Sequence, residues 1–330
     1  MTSRTKAGRS TIHDIAADLG VSVSTVSRAL TPGGTVSPET RRRVEEAAGR
    51  LDYRANRAAR SLSTGRMHSI GLIVPDLRDP FFAEVAKGAQ MRARSVDHTV
   101  YIADTDRSAE LEFEAIDMMR RDVDGFLVCA PLGDDEALRE HLRGTAAVMI
   151  HRELAGLPSV TSDLASGIAQ AVQHLRALGH HRIAHVAGPD SSWGARRRRA
   201  AFEREVADGD RVLLGPIADP FEGGVATADA LLASGATAVI AYNDLVALGL
   251  VTRLRARGVS VPDGMSVVGF DGLDVATLAT SLTSVAVPRQ VAARSAVDLL
   301  LRALDEVGEP ASVVLPTQLI VRDSTAPLRR

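Results

Sequence analysis

The chain has 330 residues, 45% of them hydrophobic, which is enough for the buried cores of two or three domains. Its one cysteine, Cys129, excludes an intramolecular disulfide framework and a zinc site built from several cysteines. The net charge of −2 hides an asymmetry, because residues 1–66 hold 12 Lys and Arg against 6 Asp and Glu. A basic head on an acidic body is typical of a head that meets phosphates.

Apolar stretches of the length that membranes require are absent from the sequence. No run reaches the ~18 apolar residues of a membrane span, and the first ten residues lack the apolar core of a secretory signal. We therefore expect a cytoplasmic protein without a membrane partner.

Residues 11–30 predict two short helices joined by a tight turn. Thr11 is the expected N-cap of the first helix, and Gly20 supplies the left-handed conformation that ends it. Ser22 then caps a second helix that turns Val26, Ala29 and Leu30 inward and leaves outward Val23, Ser24, Ser27 and Arg28. Short polar side chains and one arginine on an outer face are typical of a helix-turn-helix that reads a DNA major groove. The alternative is an ordinary helical hairpin.

A third helix is predicted after a loop rich in proline and glycine. Ser37 is its expected N-cap, and its buried face consists of Val44, Ala47, Ala48 and Leu51. The basic segment that follows is predicted to contain a helix over about 56–63, which would be marginal in isolation. We therefore assign residues 1–53 to a DNA-binding head and residues 54–68 to a linker that folds only with a partner.

Strands and helices alternate from residue 69 onward. Strands are predicted at 70–74, 99–103, 125–130, 146–150, 182–187, 238–242 and 266–270, and helices at 82–94, 110–121, 135–143, 165–178, 195–207, 224–233 and 244–257. Strict alternation predicts parallel sheets covered by helices, with too many units for one ordinary sheet. We therefore expect two α/β lobes with a ligand cleft at the carboxyl ends of their strands, where polar residues such as Asp76, Asn243 and Asp271 stand.

The motifs together resemble the lactose/galactose repressor (LacI/GalR) family of bacterial transcription factors over nearly the whole chain. The matching segments are 11–22, 25–28, 36–41, 71–76, 79–82, 123–125, 174–180, 242–244, 247–249, 267–271 and 315–317. The resemblance implies an N-terminal all-α helix-turn-helix head and an α/β periplasmic-binding-protein-like body of two doubly wound parallel-sheet lobes. The body would span 69–330, with one lobe at about 69–163 and 288–318 and the other at about 164–287 and 319–330.

By the same resemblance, the head and linker contact operator DNA. Val23, Ser24 and Arg28 match base-reading positions, and Arg28 is the best candidate for a bidentate contact to guanine. The positions that hold phosphates fall on Ser22, Ser27, Ser37, Tyr53 and Asn56. Leu62 matches a leucine that inserts into the minor groove, and the small Ala59 lies on the same face of the linker helix. Thr11 and Thr25 complete the predicted DNA-binding set.

The resemblance also implies a set of effector contacts in the cleft. They fall on Asp76, Phe81 and Phe82 in the first lobe and on Arg198, Asn243 and Asp271 in the second, with Ser192, Trp193 and Phe221 nearby. Carboxylates and amides can hold hydroxyl or amine donors, arginine is a forked donor for oxygens, and aromatic rings can stack on a sugar or base. Taken alone, Arg198 is one of four consecutive arginines that would be interpreted as a solvated helix face. His151 stands where the family often has aspartate.

These matches imply a homodimeric repressor of a carbohydrate-utilisation operon, released from operator DNA by a small-molecule inducer. One alternative is a corepressor-dependent repressor with a nucleobase-type ligand, and another is a solute-binding protein for transport.

No enzyme is expected, since the sequence has neither a Gly-x-Gly-x-x-Gly turn nor a Gly-x-x-x-x-Gly-Lys-Ser/Thr loop. His174, His180, His181 and His185 are better explained as scattered histidines than as a metal site. We thus expect no catalytic residue, metal or cofactor, and a dimer rather than a tetramer because the C-terminus lacks heptads.

Overall fold

A computed structural model of the chain describes residues 10–30, 34–53, 66–217, 219–305 and 311–329. The chain divides into two compact units, Met1–Met67, here called the head, and His68–Arg330, here called the body. In these ranges, no helix combines the length and the apolar character needed to cross a lipid bilayer. The predicted linker contacts Asn56, Ala59 and Leu62 lie outside the described residues.

The head contains the three helices that the sequence predicts, α1 (Ile12–Leu19), α2 (Val23–Leu30) and α3 (Pro38–Arg50). Gly20 ends α1 with a φ of 62°, as its left-handed role requires. The hydroxyls of Ser22 and Ser37 accept backbone N–H bonds at the starts of α2 and α3. The buried core consists of Ile15, Ala16, Val26, Ala29, Val44 and Ala47. The predicted core residues Leu30, Ala48 and Leu51 are only partly buried, at the edge of this cluster.

The body contains two six-stranded sheets, one in each lobe. The first sheet consists of β1 (Ser69–Val74), β2 (Thr99–Asp104), β3 (Gly125–Cys129), β4 (Ala146–Ile150), β5 (Ser159–Ser162) and β11 (Ser312–Leu315). The second consists of β6 (Ile183–Val186), β7 (Arg211–Leu214), β8 (Ala238–Ala241), β9 (Ser266–Asp271), β10 (Thr283–Ala286) and β12 (Gln318–Ile320). Their orders, β11-β5-β4-β3-β1-β2 and β12-β10-β9-β8-β6-β7, repeat the same doubly wound core.

Helices cover both sheets. Those of the body are α4 (Pro80–Arg94), α5 (Ala109–Met119), α6 (Asp135–His141), α7 (Leu164–Ala177), α8 (Trp193–Glu205), α9 (Pro220–Ala233), α10 (Asp244–Ala256), α11 (Asp274–Thr280) and α12 (Arg289–Leu304). In the described ranges the chain passes between the lobes after β5, after β10 and after β11. These three connections lie at the carboxyl ends of their strands, where a cleft is expected.

One edge of the second sheet departs from the purely parallel prediction. All other neighbours in both sheets are parallel, but β12 runs antiparallel to β10. The reason is the route of the chain: β11 ends at the cleft side of the first sheet, and only Pro316 and Thr317 separate it from β12. The chain therefore enters the second sheet at its carboxyl edge, and its next strand must run away from the cleft.

Candidate functional site

The outer face of α2 carries the predicted base-reading side chains. Ser24 and Arg28 are exposed, whereas Val23 is half-buried because it also packs against the head core. Arg28 Nε donates to the Ser24 carbonyl oxygen at 3.2 Å, which aligns the guanidinium along the helix. A guanidinium exposed on a helix face offers the donor fork that guanine O6 and N7 accept.

The described residues predicted to contact phosphate are Ser22 and Ser37 at helix starts, Ser27 within α2 and Tyr53 after the end of α3, and the other two predicted DNA contacts are Thr11 and Thr25. Thr11, Ser22 and Ser37 are exposed, and each stands at the start of a helix, where backbone N–H groups favour anions. The three remaining predicted contacts, Thr25, Ser27 and Tyr53, are half-buried. Ser22 and Ser37 thus already serve as helix caps, and contact with phosphate remains their predicted second role.

Sequence reasoning missed a residue that positions α2. Arg41 in α3 donates from Nη1 to the Ala29 carbonyl at 2.6 Å and from Nη2 to the Gly34 carbonyl at 2.7 Å. These charge-assisted bonds satisfy carbonyls at and beyond the end of α2 and fix the helix against α3. Arg41 ends the matching segment 36–41 but also opens a run of three arginines, and neither context predicts that its guanidinium binds these two carbonyls.

A cavity of about 390 Å³ lies between the lobes of the body, at the carboxyl ends of both sheets. Seven predicted effector contacts line it: Phe81, Phe82, Ser192, Trp193, Arg198, Asn243 and Asp271. The other two, Asp76 and Phe221, line an adjacent hollow that shares Asp79 and Arg107 with this cavity. The structure therefore brings most of the predicted set together and places two members at its border.

Arg198 is the central cation of the second-lobe wall. It is 7% exposed, whereas Arg196, Arg197 and Arg199 of the same run are exposed. Its guanidinium carbon lies 4.3 Å from the ring centroid of Tyr242 and 4.6 Å from that of Phe270. These cation–π contacts hold the group in place, but they satisfy none of its N–H donors. Its Nε is buried without a hydrogen-bond partner among the described residues.

Asp271 faces Arg198 from the end of β9. Its Oδ1 lies 3.7 Å from Arg198 Nη1, too far for a hydrogen bond. Burial raises the pKa of Asp271 well above its usual value, while Arg198 opposes the shift and Asp244 adds to it. Its backbone has a φ of 112°, and its carbonyl oxygen accepts a hydrogen bond from Arg289. The site thus holds a carboxyl group whose charge is costly until a ligand or Arg198 compensates it.

Asp244 supports this wall from behind. It is fully buried and accepts hydrogen bonds from Ser284 Oγ and from the backbone N–H of Leu273, both at 2.6 Å. Burial raises the pKa of Asp244 to about 6 despite these bonds. Because its bonds tie the start of α10 to β10 and to the segment after β9, Asp244 positions the strand ends that carry Asp271.

Helix N-termini supply further polar groups. Ser192 caps α8, accepting from the Ala195 N–H at 3.2 Å, and its hydroxyl lies 3.3 Å from the Tyr242 hydroxyl. Asn243 caps α10 through Oδ1, which accepts from the Val246 N–H at 2.9 Å. The Asn243 amide nitrogen makes no hydrogen bond within the described part of the chain and can donate to a ligand.

The first-lobe wall carries an acidic pair held by arginines. Asp79 caps α4, and burial raises its pKa although Arg107 Nη2 lies 3.7 Å away. Burial also opposes ionisation of Asp76, but hydrogen bonds from Arg78 and Arg107 hold its pKa below its usual value. Asp76 is therefore engaged by arginines, whereas Asp79 is the acidic group of this wall that lines the cavity itself.

Several cavity residues lie outside the predicted set. Asp79, Arg107, Ser162 and Tyr242 line the cavity and were not predicted as contacts. Their positions at strand ends or in the loops that lead from a strand to the next helix are the signal that could have found them, because these loops meet at the cleft. His151, which the sequence placed at this edge without a role, also lines the cavity.

Of the four histidines considered as a metal site, three have side chains that contact hydroxyl or carbonyl oxygens, and His174 lies close enough to His180 for the two to interact. His174 contacts Thr325, His180 contacts Thr237 and the Ala326 carbonyl, and His185 is buried in β6 against the Ile240 carbonyl. Among the described residues, no group of three His, Cys, Asp or Glu side chains is placed to hold a metal ion.

Two family models match the chain. Residues 11–56 match the model described as bacterial regulatory proteins, lacI family, and residues 172–325 match a periplasmic binding protein-like domain. Among curated proteins, the chain is 31% identical to the HTH-type transcriptional repressor CytR of Escherichia coli K12, over 99% of this chain and 100% of CytR. The match includes the head and the body, and hence both candidate sites.

Solved structures of bacterial transcriptional regulators also superpose on the chain. The lac repressor dimer bound to operator and the anti-inducer ONPF superposes with a TM-score of 0.83 at 26% identity, covering 97% of this chain and all of that one. A LacI family transcriptional regulator from Enterococcus faecium with bound ribose superposes with a TM-score of 0.71 at 28% identity, covering 79% of this chain and all of that one.

Proposed function

The chain belongs to the LacI family of bacterial regulatory proteins, and from this premise we propose that it represses a carbohydrate-utilisation operon until an inducer releases it. It binds operator DNA as a homodimer in the cytoplasm, and the inducer is a sugar or a sugar derivative that occupies the cavity between the lobes. Its activity is binding alone, without catalysis. Support for the partners comes from a similar repressor dimer bound to operator and a similar regulator with bound ribose.

The proposal rests mainly on the surroundings of the Arg198 guanidinium. It is a buried guanidinium beside a cavity, held by two aromatic rings, with no hydrogen bond from its side chain within the described residues. The carboxyl of Asp271 lies 3.7 Å away, too far to accept a hydrogen bond. A buried cation whose N–H groups lack hydrogen bonds is costly, so the site gains free energy when a ligand brings oxygens to it. Asp271 and the Asn243 amide add an acceptor and a donor beside it, which together suit the vicinal hydroxyls of a sugar.

Control of DNA binding follows from a ligand that contacts both lobes. Phe82 and Asp79 belong to the first lobe, and Arg198, Asn243 and Asp271 to the second. A ligand that contacts both walls stabilises one lobe arrangement over another, and it acts only through this difference in affinity. The favoured arrangement is the one in which the dimer binds its operator weakly.

The experiment is a gel shift with DNA from upstream of the protein's own gene, with and without single sugars, polyols and nucleobases. Specific binding that one sugar weakens supports the proposal and identifies the inducer. Binding that requires a nucleobase identifies a corepressor-dependent repressor instead. The absence of specific binding under every condition, including low salt, contradicts a DNA-reading function, because phosphate contacts strengthen as salt falls.

A further inference from the structure

Arg289 belongs to the first lobe, but its side chain binds to the second. It is the first residue of α12, which packs on α4, β3 and β4 of the first lobe. Its guanidinium reaches the end of β9 in the second lobe, where Nη1 donates to the Asp271 carbonyl oxygen. Nη2 makes a longer and weaker bond to the Gly272 carbonyl oxygen, at 3.4 Å. Arg289 thus bridges the lobes beside the point where the chain crosses from one to the other.

The backbone that accepts these bonds has an uncommon conformation. Asp271 has a φ of 112°, and Gly272 follows it with a φ of 70°. Residues other than glycine rarely adopt positive φ values, and they persist there where the surrounding structure holds them. A Cβ at Gly272 would lie 2.8 Å from Ala286 Cα, so the segment also packs tightly against the end of β10. Whatever holds this backbone also sets the position of the Asp271 carboxyl group in the cavity wall.

Different parts of the segment are held from different sides. Second-lobe side chains hold the N–H groups that follow Asp271, through Ser284 Oγ at 3.1 Å and Asp244 Oδ2 at 2.6 Å. The Asp271 carbonyl oxygen is held from the interlobe crossing, by the Val287 N–H at 3.3 Å and by the guanidinium of Arg289. Bonds from a charged donor are about twice as strong as neutral ones. Part of what fixes Asp271 therefore depends on where the first lobe stands.

The Arg289 guanidinium lies among groups of both lobes. Its carbon is 5.9 Å from the ring centroid of Phe81 in α4, near the outer limit of a cation–π contact. Burial raises the pKa of Asp79 in the first lobe and of Asp244 and Asp271 in the second, and Arg289 is close enough to oppose each shift. A change in the lobe arrangement must therefore alter the surroundings of this cation on at least one side.

We propose that Arg289 is a positioning residue that couples the backbone conformation of Asp271 to the arrangement of the two lobes. In the arrangement of this structure, Arg289 holds Asp271 at its positive φ. When the lobes rotate apart, the bond breaks and the backbone relaxes. By linkage, a ligand that requires this position of Asp271 favours this arrangement of the lobes. The use of Asp271 by an effector rests on the proposed function, whereas the coupling is a property of the chain itself.

The test uses variants of the full-length protein without operator or effector. Arg289→Met keeps an unbranched stem and removes every donor, whereas Arg289→Lys keeps the charge but loses the planar fork. The matched control is Arg294→Met, because Arg294 is an exposed arginine of the same helix whose Nη2 bonds to Gln290 of that helix at 3.2 Å. Circular dichroism during heating establishes that each variant folds. If Arg289→Met does not fold, Arg289→Lys is used for both measurements below.

Two measurements follow the two sides of the coupling. Hydrogen exchange with mass spectrometry reports on the backbone N–H groups of residues 271–273. Electron paramagnetic resonance gives the distance between spin labels at Met118→Cys in the first lobe and Arg204→Cys in the second, both at exposed positions. Labelled protein is diluted with unlabelled protein so that the distance is measured within one chain. The native cysteine, Cys129, is buried and does not take up label.

We expect residues 271–273 to exchange about tenfold faster in Arg289→Met than in the wild type, because the segment loses hydrogen bonds from a charged donor. The distribution of interlobe distances should become broader in the same variant. Arg289→Lys should show smaller changes of both kinds, because its point charge replaces the fork in part. Arg294→Met should match the wild type in both measurements.

Three results overturn the coupling. Unchanged exchange at residues 271–273 in Arg289→Met would mean that the segment is held without Arg289. Faster exchange with an unchanged distance distribution would mean that Arg289 braces the segment but does not link it to the lobes. Exchange that rises equally throughout the body would mean a general loss of stability. Since no ligand is used, a gel shift without specific binding contradicts the proposed function alone, and these three results contradict the coupling alone.

Discussion

Arg198 and Asp271 face each other in the cavity wall of the second lobe, with Nη1 and Oδ1 3.7 Å apart and both residues more than nine-tenths buried. The separation is too long for a hydrogen bond, so each group retains capacity for a third partner. Burying this pair is costly, and its Coulomb attraction alone does not guarantee a net gain. A ligand hydroxyl beside the pair would satisfy both groups, because it can accept from the Arg198 guanidinium and donate to the Asp271 carboxylate. The pair is therefore better suited to binding a ligand than to stabilising the fold.

Arg198→Met tests this interpretation, because methionine keeps an unbranched apolar stem between Tyr242 and Phe270 while it removes every donor. We expect the effector to bind about 10- to 100-fold more weakly, as for the loss of hydrogen bonds from a charged group. Operator affinity without effector should stay at the wild-type level, so that the variant represses but responds poorly. Effector titrations of a preformed operator complex measure this. Arg199→Met, an exposed neighbour paired with Glu203 at 3.0 Å, should respond like the wild type.

Arg28→Ala addresses the head. Loss of a bidentate contact to guanine should cost about 1–3 kcal/mol of discrimination, so binding to the specific site should fall more than binding to a scrambled site. Fluorescence titrations with both duplexes at one salt concentration measure the ratio. The matched control is Arg255→Ala, an exposed arginine of α10 in the body. Equal losses on both duplexes would mean that Arg28 contacts phosphate instead.

Every strand and helix that the sequence predicted after residue 69 is present, but the strands β5, β7, β10, β11 and β12 and the helices α11 and α12 were not predicted. The burial of side chains within a run of like residues was not predictable either. The apolar run of β1 and the caps at Ser22 and Ser37 report directly on local structure. Four consecutive arginines do not reveal which one turns inward, since that depends on the face of α8 that packs on α7. The strand β5, Ser159-Val-Thr-Ser162, is too short and too polar to be recognised, and it is buried only because β4, β11 and α12 surround it.

His185 gives a pH-dependent prediction. It is fully buried, and burial lowers its pKa to about 4 from an ordinary value of 6.5. Between pH 4 and pH 6.5 the unfolded chain binds more protons at this histidine than the folded chain does. The stability that depends on a neutral His185 is therefore fully present above pH 6.5 and is lost as the pH falls toward 4. The shift corresponds to about 3 kcal/mol of unfolding free energy. The buried carboxyl groups Asp244 and Asp271, whose pKa values are raised, act in the opposite direction.

The test therefore compares the pH dependence of unfolding of His185→Leu with that of the wild type. At neutral pH, His185→Leu should be about 1 kcal/mol less stable than the wild type, because leucine cannot make the hydrogen bond to the Ile240 carbonyl. On acidification the variant should lose less stability than the wild type, because it has no buried histidine to protonate. Urea unfolding at several pH values between about 7 and 4 gives the stability at neutral pH and its loss on acidification. His181→Leu controls for the loss of an exposed histidine. Parallel curves for His185→Leu and wild type would refute the assignment.

Gly249→Ala tests the close packing of α9 on α10, which shapes the hollow beside the cavity. A Cβ at Gly249 would lie 2.1 Å from the Phe221 carbonyl oxygen and 2.9 Å from the Val225 nitrogen, and both of these are backbone atoms. The helices would have to separate, and we expect a loss of about 1–3 kcal/mol, seen as a lower midpoint in thermal unfolding. Gly209→Ala is the matched control, because a Cβ there meets nothing within 4 Å.

Since Phe221 lies where the two helices cross, Gly249→Ala should also weaken the binding of any ligand that reaches the hollow. The affinity of a ligand confined to the Arg198 cavity should be unchanged. An unaltered midpoint would mean that the two helices are free to slide apart, which would contradict a rigid second lobe.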